Sequence, residues 1–75
     1  MRNYGEEMKT QRQLHGYSQR ELAKATGIKQ QNISRWENGL AIPSIENCEI
    51  LADFYGITID ELIGRDSVGN LTQNK

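Results

Sequence analysis

Seventy-five residues, 36% of them hydrophobic, allow one small domain, and a core of that size is marginal without efficient packing or a partner. The single Cys48 excludes an internal disulfide, the first ten residues lack the apolar run of a secretory signal, and no stretch approaches the roughly 20 apolar residues of a membrane span. A soluble, cytoplasmic protein without membrane association is therefore expected. The formal net charge is −1, but it is unevenly distributed. From Lys9 to Arg35 the bases Lys9, Arg12, Arg20, Lys24, Lys29 and Arg35 stand against Glu21 alone, whereas from Glu37 to Asp66 seven acids stand against Arg65 alone. Such a division prepares one face for an anionic partner and another turned away from it.

The apolar residues recur with a helical period, so an all-α chain is expected. The first helix is predicted from near Asn3 to just before Gly16, with Asn3 and Glu6 at capping spacing and Tyr4, Met8 and Gln11 on one face. The second begins at Ser18, which forms a capping box with Glu21. Leu22 and Ala23 face inward, Gly27 ends the helix and Ile28 plugs the turn. The third runs from about Lys29 to Asn38, with Ile33 and Trp36 on one face and Gln31, Ser34, Arg35 and Asn38 on the other. Gln30 sits at its exposed tip, and Gly39 closes it. An uncharged loop, Leu40-Ala41-Ile42-Pro43, leads to a fourth helix capped by Ser44, with a buried stripe of Ile45, Cys48, Leu51, Ala52 and Tyr55. Thr58 and Glu61 form a second capping box and open a short fifth helix that buries Ile59, Leu62 and Ile63. The predicted domain spans 1–64, and the polar residues 65–75 are expected to form a flexible tail.

Two helices meeting at a steep angle need a small residue at their contact and a glycine where the chain reverses. Ala23 and Gly27 lie four apart, and Ile33 follows six later as the inward anchor of the next helix, which is helix-turn-helix spacing. The capping box, the plug Ile28, the anchor Trp36 and the terminal Glu37-Asn38-Gly39 strengthen the match. With these residues in place the chain resembles the phage repressor and Cro-like (XRE) family of helix-turn-helix regulators. The resemblance runs from about Tyr4 to Gly64 and includes Tyr4-Gly5, Met8, Lys9, Arg12, Ser18-Gln19, Leu22-Ala23, Thr26-Gly27, Ile33-Ser34, Pro43-Ser44, Tyr55-Gly56 and Asp60-Glu61-Leu62.

The resemblance implies a compact five-helix lambda-repressor-like domain that binds double-stranded DNA in the major groove, as a homodimer on a palindromic operator. Gln30 and Gln31 match adjacent glutamines at the tip of the recognition helix, where one amide can read both N6 and N7 of adenine. Arg35, on the same face as Gln31, is assigned to guanine O6 and N7 or to a phosphate. Gln19 matches a phosphate-contacting glutamine, and Asn32, Ser34 and Asn38 are further phosphate candidates. Arg12 and Glu37 match a partly buried ion pair that belongs to the architecture. The uncharged loop after Gly39 departs from the family, which often carries Lys or Arg there, and predicts a shallow salt dependence.

Ile50 and Phe54 lie four apart and opposite the buried stripe of the fourth helix, so they are either covered by the chain's end or form an exposed patch. With Ile63 they are assigned to a homodimer contact. His15 is expected in solvent, and Cys48 on the core stripe as an inert hydrophobe. One histidine, no metal-ligand cluster and no phosphate-binding loop or nucleophile elbow argue against an enzyme, and no cofactor or metal is expected. A transcriptional repressor is the leading expectation. An antitoxin with a toxin partner, a restriction-modification controller protein and a protein-interaction module of the same fold are the alternatives.

Overall fold

The computed structural model describes residues 4–65, which form five helices: α1 (Tyr4–Leu14), α2 (Gln19–Thr26), α3 (Gln30–Glu37), α4 (Ile45–Tyr55) and α5 (Ile59–Leu62). No strand occurs among the described residues. The expected cap at Asn3 and the expected tail beyond Arg65 lie outside them.

Helices of eight residues are not stable alone, so their ends and buried faces must hold them. Ser18 Oγ accepts the Glu21 N–H at 3.0 Å, and the Glu21 carboxylate accepts the Ser18 N–H at 2.9 Å. Thr58 and Glu61 repeat this box at 3.0 and 2.9 Å, and Ser44 Oγ accepts the Asn47 N–H at 3.1 Å. Each such cap stabilises its helix by about 1 kcal/mol. At the end of α2, Gly27 takes φ 80°, a left-handed conformation that costs other residues, and its N–H closes on the Ala23 carbonyl at 2.9 Å. Thr26 Oγ1 then accepts the Ile28 N–H at 3.2 Å, which leads buried Ile28 into the turn before α3.

α1 and α2 both pack on α3, and α5 packs on α4; contacts of α1 with α5 and of α2 with α4 join the two groups. Met8, Leu22, Ile28, Ile33, Trp36, Cys48, Leu51, Tyr55 and Leu62 form one continuous core. Such a domain retains a net stability of roughly 3–9 kcal/mol, so any one contact matters.

Two readings of buried faces are corrected. α1 buries Gly5, Met8 and Arg12, while Tyr4 and Gln11 are half-buried. The inward face is turned because α1 lies against the last turn of α3. A Cβ on Gly5 would collide with the Trp36 carbonyl oxygen and stand 2.8 Å from that of Glu37, so only glycine permits the approach. Ile45, expected in the core stripe of α4, is 76% exposed, whereas Cys48, Leu51, Ala52 and Tyr55 are buried. As the first residue of α4 it rims an apolar groove of about 190 Å³ shared with Tyr4, Ile42, Ile59 and Ile63.

Candidate nucleic-acid interface

α3 divides by side. Ile33 and Trp36 turn inward and are buried, and at 100° per residue they point away from Gln31, Ser34, Arg35 and Asn38, while Gln30 is the first residue of the helix, at its tip. Gln30, Gln31, Asn32, Arg35 and Asn38 are exposed, and Ser34 is half-buried. Asn38 Nδ2 donates to Ser34 Oγ at 3.3 Å, linking two of the expected phosphate contacts across one helical turn. The N-cap residue Lys29 makes no side-chain cap bond, and no acid occupies the first turn. The N-terminal end of α3 therefore presents the positive end of its dipole and two free-ended amides.

The charged side chains on the helices of the motif are mostly basic. Arg20 and Lys24 on α2, Lys29 in the turn and Arg35 on α3 are exposed, with Glu21 the exposed acid among them. Glu46, Glu49, Asp53, Asp60 and Glu61 are exposed on α4 and α5. The charge asymmetry of the sequence is thus one between α2–α3 and α4–α5, while α1 carries the exposed acids Glu6 and Glu7 beside Lys9. The loop after α3 carries no charge, and its Leu40 and Ile42 are exposed.

Behind α3 lies a polar cluster. Arg12 Nε donates to Glu37 Oε2 at 2.7 Å, and Nη2 donates to Oε1 at 3.0 Å. This is a bidentate pair, and the Glu37 side chain is only 3% exposed. Arg12 Nη1 donates to the Tyr17 carbonyl at 2.7 Å. The hydrogen bond to Glu37 holds the Arg12 guanidinium above its ordinary pKa against the opposing effect of burial. Gln19 Nε2 donates to Glu37 Oε1 at 2.9 Å. The side chain expected at a phosphate is therefore bonded to the last residue of α3. Sequence reading missed this link, because Gln19 and Glu37 are eighteen residues apart and each alone reads as an ordinary polar residue.

On α4, Ile50 and Phe54 are 38% and 37% exposed. Phe54 leans on Tyr17, ring centroids 5.2 Å apart, and on Tyr55 at 5.6 Å. Its cover is thus the segment between α1 and α2. Ile63 is half-buried against the core. His15 is exposed, yet its ring stacks on Tyr55 at 4.4 Å and its Nδ1 lies 2.9 Å from the Gln11 carbonyl. Cys48 is buried, and that burial pushes its thiol pKa up. Among the described residues no cluster of His, Cys, Asp and Glu could hold a metal ion, and no helix is long and apolar enough to cross a membrane.

Comparison with known proteins agrees with the helix-turn-helix fold. Residues 8–62 match the family described as Helix-turn-helix. Among curated relatives, the transcriptional repressor RstR of a cryptic phage in Vibrio cholerae is 35% identical over 60 residues, covering 80% of this chain and 54% of its own. The HTH-type transcriptional regulator ImmR of Bacillus subtilis is 33% identical over 64 residues, 85% of this chain and 50% of its own. Antitoxin PezA of Streptococcus pneumoniae is 30% identical over 66 residues, 88% of this chain and 42% of its own. The chain thus spans about half the length of these relatives. No solved structure matches it.

Proposed function

Since this chain belongs to the helix-turn-helix family, in its phage repressor and Cro-like (XRE) branch, we propose that it is a DNA-binding transcriptional regulator that represses by occupying an operator. The observation that carries this reading is the outward side of α3: Gln31 and Arg35 exposed opposite buried Ile33 and Trp36, with Gln30 exposed at the tip of the helix. Glutamine amides pair with adenine N6 and N7, and a guanidinium pairs with guanine O6 and N7. Asn32, Ser34 and Asn38 contact phosphates and set the register. Two copies place their α3 helices in successive major grooves about 34 Å apart on a palindrome. Ile50, Phe54 and Ile63 supply the contact between copies. The uncharged loop removes phosphate contacts, so affinity falls only gently with salt.

Selection of bound sites from a random DNA pool tests the proposal. Enrichment of a palindrome with half-sites one helical turn apart supports both the DNA reading and the dimer, and no enrichment refutes them. Gln30→Ala or Gln31→Ala is expected to cost about 1–3 kcal/mol on the enriched site and little on random DNA. Equal loss on both would reassign the two glutamines to phosphates.

The match to antitoxin PezA favours a second reading, in which the same DNA-binding domain also neutralises a toxin. A toxin reading frame adjoining this one would support it.

A further inference from the structure

We infer that Gln19 is a positioning residue that sets the pose of α3 in the groove by acting through Glu37. The inference rests on the DNA-binding reading above. Glu37 ends α3, and its carboxylate accepts three hydrogen bonds: two from Arg12 of α1 and one from Gln19, the first residue of α2. Arg12 also holds the Tyr17 carbonyl, in the segment between α1 and α2. The C-terminal end of α3 is therefore fixed from two helices at a single side chain.

The three bonds do different things. The Arg12 pair neutralises the carboxylate and ties α3 to α1. The Gln19 bond is the direct polar link between the start of α2 and the end of α3, the two helices whose mutual angle defines the binding unit. Hydrogen bonds are directional, while the apolar contacts of Leu22, Ile33 and Trp36 permit small rotations. Eight residues of helix are about 12 Å long. A tilt of about 10° at the Glu37 end therefore carries Gln30, at the other end, through about 2 Å. Recognition geometry tolerates about 0.5 Å, so a modest loosening at Gln19 is enough to misplace the base-reading amides. A phosphate ligand would behave otherwise, because its loss weakens every DNA sequence alike.

The test uses Gln19→Met, which keeps the length and apolar stem but removes the donor, and Gln19→Lys, whose ammonium can donate to Glu37 again. Affinity is measured for the site selected by the wild-type protein and for random DNA, at a temperature where each variant is fully folded by circular dichroism. Amide exchange of residues 34–38 is followed in parallel. The expected result for Gln19→Met is a roughly tenfold fall in the ratio of specific to random affinity, in line with one lost bond to a charged group, together with faster exchange at the end of α3. Gln19→Lys should recover most of that ratio. Equal loss on both DNAs, or no change in either, overturns the positioning role while leaving the DNA reading intact. A wild-type protein that selects no site refutes the DNA reading, and the positioning role falls with it.

Discussion

The group α1–α3 and the pair α4–α5 are held by different physics. α4 and α5 share the apolar core of Cys48, Leu51, Tyr55 and Leu62, and each is capped locally, by Ser44 and by Thr58. α3 is held by apolar anchors too, but also by a nearly buried carboxylate that takes bonds from Arg12 and Gln19, and by backbone approach over Gly5. Apolar burial is non-directional and tolerates repacking. Bonds to a carboxylate are directional and leave one geometry satisfied. Between helices, the group that carries α3 adds directional bonds to its apolar contacts, and the pair α4–α5 relies on area.

The sharpest way to break this comparison is at Glu37. Glu37→Ala leaves the Arg12 guanidinium, buried beside α3, without its charge partner, and a loss of about 3–5 kcal/mol is expected. That is comparable with the whole stability of such a domain, so urea unfolding followed by Trp36 fluorescence should show a largely unfolded protein at neutral pH. The double variant Arg12→Met with Glu37→Leu should regain most of the stability, since an apolar pair of similar volume can replace a buried ion pair. It should not regain sequence discrimination. A Glu37→Ala variant that loses less than about 1 kcal/mol would place α3 on its apolar anchors alone, and the contrast between the halves would disappear.

Gly5 tests the same half with a smaller expected effect. Alanine is the better helix former by about 1 kcal/mol, but here its Cβ meets backbone carbonyls that cannot move independently of α3. Overpacking costs about 1–3 kcal/mol, so Gly5→Ala should lower the melting temperature. A rise would mean that α1 slides along α3 without resistance.

The parts legible in the sequence were those governed by near neighbours. Ser18 with Glu21 and Thr58 with Glu61 act across three residues, and their side chains and backbones supply both halves of each box. The outward and inward sides of α3 follow from helical period alone. What escaped depended on distant elements. Ile45 has the spacing of a core residue, but its burial depends on what packs against the first turn of α4, and there it rims an open groove. Gly5 looks like a weak helix residue until α3 lies against it; an isolated glycine within a helical pattern was the available signal. Gln19 kept its expected place at the start of α2, yet its amide turned inward, because the buried carboxylate of Glu37 lies within its reach.

The α4–α5 side offers the mildest test, at Tyr55. Its ring packs in the core and against His15 and Phe54, but its buried Oη finds no hydrogen-bond partner among the described residues. Burial pushes its phenol pKa up to about 12, from the ordinary value near 10. The folded state then keeps a proton that the unfolded chain has released. The associated stability is complete below about pH 10 and is lost as pH rises toward 12. Burial also raises the Cys48 thiol, which contributes with the same sign from a lower pH. Tyr55→Phe keeps the ring and removes an unsatisfied hydroxyl, so a gain of up to about 1 kcal/mol is expected at neutral pH. It should also shrink the fall in urea midpoint between pH 10 and 12, leaving the smaller decline that begins near pH 9 with Cys48. Parallel midpoint curves for the two proteins across that range would show that the hydroxyl does not report the packing of this half, and that its support of α3 is not purely a matter of apolar burial.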